Sequence, residues 1–181
     1  YPTAGCSSEF EAQPFFVNTP FGIALAHNGN LTNVDEIQKE LKDKYFRHLN
    51  TTSDSEALLN VFSVALKNQR PKHLSPDHVF KATATVFRKC RGAYSAVVLI
   101  GGHGVVGFRD PHGIRPLQLG KRVHEGKEEY IIVSESTVIR ALDYEFVRDI
   151  NPGEVIYIDK NNKLHSRQVR KPQHTPCLFE W

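Results

Sequence analysis

Two places in this 181-residue chain carry residue types that could act on an acyl group. The first is Asn28-Gly29, inside Ala26-His27-Asn28-Gly29-Asn30. An amide side chain next to a glycine can aim two N–H donors at one spot, which is how a developing oxyanion is held. The plainer reading is a tight turn with positive φ, and the residues alone favour it. The second place is Asp54, directly after Ser53, with Glu56 completing the three-residue spacing of a capping box. A carboxylate there is kept ionised by the helix N-terminus, and a mere helix-start acid is the simpler explanation. Three cysteines, Cys6, Cys90 and Cys177, lie far apart and have no CxxC spacing. They argue against a disulfide framework and against a self-contained zinc site. The nine histidines are scattered, so no metal site is expected. Arg109, Asp110 and Arg115 are surrounded by Pro111, Gly113 and Pro116 and read as a structural corner. His27 reads as a packed residue orienting the Asn28 turn, and His103 as an exposed residue in a glycine turn.

The elements that must position these groups follow from periodicity. Phe21 to Ala26 is an apolar strand. It ends in the expected Asn28-Gly29 turn, after which Leu31, Val34, Ile37 and Leu41 take helical spacing over about 33–43. A second helix runs from Ser53 to about Lys67, with Leu58, Leu59, Phe62 and Leu66 inside. A third starts at Ser75-Pro76-Asp77 and lines Val79, Thr83, Val86, Phe87 and Cys90 on one face, with Gly92 as its C′ residue. From there strands dominate: 93–100, 105–108, 114–119 and 129–133, then a short helix over 135–142. Residues 146–150 and 154–158 read as a hairpin around Asn151-Pro152-Gly153, and 164–169 as a final strand. Residues 1–20 read as loop. Ala93 to Ile100 is too uniformly apolar for a one-sided sheet, so both its faces should be covered. A sheet-on-sheet core with helices outside meets that need.

Composition sets outer bounds. Hydrophobic content is 40%, charged content 24% and net charge +3, all ordinary for a globular protein. Basic residues are spread along the chain, which indicates neither a nucleic-acid nor a membrane surface. No apolar run approaches a bilayer span. With no secretory signal visible, a cytoplasmic setting is expected. Tyr1 is not Met, and Pro176 to Trp181 heads towards further structure, so both ends read as cut.

Several blocks, in order, resemble one family. They are Tyr1-Pro2-Thr3-Ala4-Gly5, Ala12-Gln13-Pro14-Phe15, His27 to Asn30, Ser53 to Glu56, Phe108 to Leu117, Ser134-Glu135-Ser136 and Pro152-Gly153-Glu154. Together they resemble the glutaminase domain of the amidophosphoribosyltransferase (glutamine phosphoribosylpyrophosphate amidotransferase) family. The resemblance spans residues 1–181. The His27 to Asn30 block alone would indicate only the broader class II glutamine amidotransferases. The resemblance implies an α+β fold: a four-layer αββα sandwich of the N-terminal-nucleophile hydrolase type, here incomplete at its N-terminus.

By the same resemblance, an N-terminal cysteine thiolate attacks the side-chain amide of glutamine, with its own α-amine as base. Ammonia then passes to a phosphoribosyltransferase domain and displaces pyrophosphate from phosphoribosyl pyrophosphate, in de novo purine (IMP) biosynthesis. The Asn28 side chain and Gly29 N–H become the oxyanion hole, and Asp54 binds the α-ammonium of glutamine. Residues 1–12 become a loop that closes over glutamine and excludes water. The nucleophilic cysteine is expected upstream of Tyr1, and Cys6 is not its substitute. A fragment of 181 residues is therefore expected to lack activity. The transferase domain, with its Mg, is expected after residue 181. Cys177 matches a position that ligates an iron–sulfur cluster in some members, but a plain thiol is favoured and no cofactor is expected in this chain. The complete protein is expected to be a homo-oligomer. Two alternatives stay open: a non-catalytic amino-acid-binding or regulatory module, and the glutaminase domain of another class II amidotransferase.

Overall fold

The computed structural model describes residues 11–180. Cys6, the Tyr1 to Gly5 block and most of the expected closing loop lie outside them. Strand β1 (Phe15–Val17) and the long strand β2 (Ile23–Leu31) are followed by helices α1 (Val34–Tyr45), α2 (Asp54–Lys67) and α3 (Pro76–Lys89). Strands β3 (Gly92–Ile100), β4 (Gly104–Arg109), β5 (Gln118–His124) and β6 (Lys127–Val133) lead to the short helix α4 (Ser136–Ala141). Strands β7 (Glu145–Asp149), β8 (Glu154–Asp159) and β9 (Leu164–Gln168) complete the set.

The strands form two antiparallel sheets, ordered β1-β2-β3-β4-β8-β9 and β6-β5-β7. Helices α1 to α3 cover one face of the larger sheet. Leu58, Phe62, Val79 and Val86 pack there against Leu25, Val98 and Phe108. Phe108 stacks on Phe62 at 6.4 Å and meets Phe87 edge-on at 5.9 Å, arrangements that aromatic quadrupoles favour. The other face meets the smaller sheet through Leu117, Leu119, Ile150, Ile156 and Ile158, with Val97 and Ile132 at the margin. The sheets approach so closely that a Cβ on Gly107 would lie 2.9 Å from Ile132 Cδ1. Helix α4 lies against the far side of the smaller sheet through buried Ile139. The order is helix, sheet, sheet, helix: an α+β sandwich of four layers.

Several local expectations give way to tertiary pairing. Asn28-Gly29 is not a turn. Strand β2 runs straight through it to Leu31, with Asn28 opposite Ser95 and Gly29 opposite Tyr94. Gly29 has φ 142, and a Cβ there would sit 2.0 Å from the Ala93 carbonyl oxygen. The glycine admits a neighbouring backbone and does not reverse the chain. Gly92 does the same from the other strand, against the Asn30 carbonyl at 2.2 Å, so it opens β3 and is no helix terminus. The expected hairpin at Asn151-Pro152-Gly153 is a crossover, because β7 pairs with β5 and β8 with β4 and β9. Residues 111–117 do not extend as a strand. The Asp110 carboxylate gathers the N–H groups of His112, Gly113 and Ile114 and folds them into a turn. Phe15–Val17 is a strand, not loop. Leu99 is 52% exposed, so β3 is covered on both faces only in part.

Candidate functional site

The candidate site gathers at the β1 edge of β2, where α2 begins. Alternate residues of β2 face opposite ways. Ile23, Leu25, His27, Gly29 and Leu31 are buried, while Ala26 and Asn30 are exposed and Asn28 is half-buried. Asn28 and its register partner Ser95 share the face away from the helices. His27 faces the helices and meets α2.

Two clamps hold the main chain of β2 here. The Gln13 carboxamide takes the His27 N–H on Oε1 at 2.6 Å and donates from Nε2 to the His27 carbonyl at 3.0 Å. Four residues on, Asp54 Oδ2 accepts the Leu31 N–H at 3.0 Å. In an antiparallel ladder, main-chain groups turn to the same edge at every second residue. Gly29, midway between the clamped residues, therefore presents its main chain to that edge.

Behind the strand lies a buried polar cluster. His27 Nδ1 meets Ser55 Oγ at 2.7 Å, and His27 Nε2 lies 3.8 Å from Asp54 Oδ2. The two side chains are 0% and 3% exposed. Burial pushes the His27 pKa below the usual 6.5, the nearby Asp54 charge pulls it up, and Arg115 pushes it down again. The ring is thus held neutral beside a carboxylate. Asp54 Oδ1, His27 Nε2 and Ser95 Oγ are buried and make no hydrogen bond among the described residues. Such atoms are rare in a folded interior, and each calls for a ligand, water or role. Ser53 caps α2 through the Ser55 N–H, as the sequence suggests. The capping box itself does not form. Glu56 instead reaches past Ser53 to the N–H groups of Asn50 and Thr51 and the Thr51 hydroxyl, fixing the loop that enters the helix.

Of the residues proposed from sequence, Gly29 lies between the two clamps, Asp54 meets its neighbours His27 and Leu31, and Asn28 turns its side chain to the opposite face of the sheet. The sequence alone points to no role for Gln13, Ser55 or Ser95. Gln13 lies one residue before Pro14 and outside the β1 ladder, so only its side-chain reach to His27 reveals it. Ser95 is revealed only by its register, which places it opposite Asn28.

Arg109 and Asp110 lie across β3 from β2, where Arg109 pairs with Ser95. Arg109 is 2% exposed and donates to the carbonyls of Gly113 (2.6 Å), Arg115 (2.6 Å) and Ile150 (3.0 Å). Asp110 accepts the N–H groups of Tyr94, His112, Gly113 and Ile114. His103 is half-buried, packs edge-on against Phe21 and accepts the Tyr157 hydroxyl on its carbonyl, so it is not the exposed residue expected.

An iron–sulfur cluster is held by several thiolates, and the described residues include two cysteines, Cys90 and Cys177. Cys177 is a half-buried free thiol, and burial pushes the Cys90 thiol up to about 12. Among the described residues no group of three or more His, Cys, Asp or Glu could hold a metal ion. No helix among them is long and apolar enough to cross a membrane.

Comparison with known proteins supplies the family. The glutamine amidotransferase domain matches residues 4–141. An amidophosphoribosyltransferase of Escherichia coli (strain K12) is 54% identical over 183 residues, covering 100% of this chain and 36% of the relative. One from Saccharomyces cerevisiae is 47% identical over 186 residues, with 100% and 36% covered. The chain thus spans about a third of the length of these curated relatives. Among solved structures, "the allosteric regulatory enzyme of purine biosynthesis" superposes with TM-score 0.76 at 24% identity, covering 98% of this chain and 35% of that one. The glutamine phosphoribosylpyrophosphate amidotransferase of B. subtilis, complexed with ADP and GMP, gives TM-score 0.71 at 24% identity, with 91% and 33% covered. At that identity the two structures establish the fold alone, and it is the layered α+β sandwich described above. The chain belongs to the glutamine amidotransferase domain family, and along its length it is similar to the corresponding domain of amidophosphoribosyltransferases.

Proposed function

We propose that this chain is the glutaminase part of an amidophosphoribosyltransferase, and that the clamped edge of β2 is its glutamine site. The observation that carries this reading is Asp54. One carboxylate oxygen fastens the Leu31 N–H, while the other is buried with no partner among the described residues. A hydrogen-bond donor is what such an oxygen lacks, and the α-ammonium of glutamine would supply one with the complementary charge. Asn28 and Gly29 follow His27 on the same strand. Their side-chain and main-chain N–H groups would receive the oxyanion formed when a thiolate adds to the glutamine amide carbonyl. Collapse of that intermediate expels ammonia and leaves a thioester, which water hydrolyses to glutamate. The thiolate is assigned to an N-terminal cysteine by likeness to the family. Buried Cys90, with its raised pKa, is unsuited to the role. In the whole protein the ammonia would displace pyrophosphate from phosphoribosyl pyrophosphate, yielding phosphoribosylamine for purine synthesis.

Replacing Asp54 with Asn in the full-length protein tests the substrate anchor. Loss of the ion pair should raise the glutamine KM about 30-fold, or about 2 kcal/mol, with ammonia-dependent synthesis retained. An unchanged glutamine KM would contradict the assignment.

A further inference from the structure

We infer that Gln13 is a positioning residue for the oxyanion donors: its carboxamide takes the place of a main-chain strand partner and so sets where Asn28 and Gly29 lie. The inference rests on the proposed glutamine site.

Strand β1 pairs Phe15, Phe16 and Val17 with Leu25, Ala24 and Ile23. Continuing that register would place Pro14 opposite Ala26 and Gln13 opposite His27. Main-chain pairing ends at Phe15, one residue short of Pro14. The Gln13 side chain then does what a peptide unit would do. It offers one acceptor and one donor, and both are used on the same residue, His27, at 2.6 and 3.0 Å. A primary amide, found only in Asn and Gln, sets a C=O and an N–H side by side as a peptide unit does, and Gln has the longer reach.

The consequence falls on the next two residues. Among the described residues the outer edge of β2 has no strand partner between His27 and Leu31, since β1 pairs only with Ile23 to Leu25. Gln13 fastens one end of that gap and Asp54 the other. Asn28 and Gly29 lie inside it. On its inner side β2 is held by β3 throughout. The gap is thus an open strand edge with both ends fixed, the condition under which a main-chain N–H keeps its aim while staying available to a substrate oxygen. Asp54 belongs to α2 and is anchored by the Ser53 cap, so releasing Gln13 would disturb the donors before the carboxylate.

Gln13→Met in the full-length protein removes both bonds and keeps the side-chain volume. Gln13→Glu keeps an acceptor for the His27 N–H and loses the donor. For Gln13→Met, glutamine-dependent kcat should fall about 10-fold, less than the loss of a whole oxyanion donor. Its glutamine KM should stay within about twofold, and synthesis from free ammonia should be unchanged. Gln13→Glu should fall in between, because the bond that survives is the shorter one. An unchanged kcat in both variants would overturn the inference. So would a raised KM at constant kcat, which would make Gln13 a substrate anchor. A parallel loss of glutamine- and ammonia-dependent synthesis with a lowered Tm would reduce Gln13 to a structural residue. If Gln13→Met is silent while Asp54→Asn still raises the glutamine KM, only the role of Gln13 fails. If Asp54→Asn is silent as well, the glutamine site itself is misplaced.

Discussion

Two buried polar clusters in this domain use similar residue types and differ in how completely they are satisfied. At the Arg109–Asp110 corner, the guanidinium is spent on three carbonyls and both carboxylate oxygens accept main-chain N–H groups. At the His27–Asp54 edge, one carboxylate oxygen and one ring nitrogen are left without hydrogen bonds among the described residues. Burying a polar group without a partner is costly. The first cluster is satisfied by the fold itself, whereas the second holds buried acceptor capacity that no described residue fills, as the proposed glutamine site requires.

The contrast can be broken most forcefully at the corner. Arg109→Ala strands three buried carbonyls and removes the countercharge beside Asp110. It should cost about 3–5 kcal/mol, a large share of the stability of an ordinary domain. Denaturant unfolding or soluble yield of the full-length protein would register it, and a loss below about 1 kcal/mol would dissolve the contrast. Gly29→Ala comes next, at about 2–3 kcal/mol in the same assay, because the new methyl meets the Ala93 carbonyl. Asp54→Asn sharpens the comparison from the other side. The amide oxygen still accepts the Leu31 N–H while the uncompensated charge disappears, so stability should change by less than about 1 kcal/mol even as glutamine binding is lost.

The smallest effect is in pH dependence. His27 is buried with its pKa below 6.5, chiefly through burial, with Asp54 and Arg115 opposing one another. The unfolded chain therefore takes up this proton first as pH falls. Stability from His27 is full above about 6.5 and declines on acidification towards the lower folded value. His27→Gln should flatten the drop in stability between pH 7.5 and 5.5, and an unchanged slope would mean that His27 is not held neutral.

Helices α2 and α3 and strands β3 and β8 are legible in the sequence, because their apolar spacing is unambiguous and packing agrees with it. Asn28-Gly29 misleads as a local signal. An Asn-Gly pair ordinarily reverses a chain, but here the glycine is needed so that β3 can approach, a fact held in residues 64 positions away. Pro152-Gly153 misleads in the same way, since a turn cannot declare whether the next strand joins the same sheet or crosses to the other. Asp54 and Asn28 can be picked out through likeness to a family. That Asp54 also pins Leu31, and that Gln13 stands in for a strand, are matters of register and side-chain reach that no local pattern encodes.

The central claim is that the open cluster is a glutamine site whose donors act on the transition state. Its most direct test compares two rates in full-length Asn28→Ala protein: synthesis driven by glutamine and synthesis driven by free ammonia. Glutamine-dependent kcat should fall about 10²–10³-fold, with the ammonia-driven rate nearly intact. Equal loss of both rates would show Asn28 to be structural and would contradict the assignment.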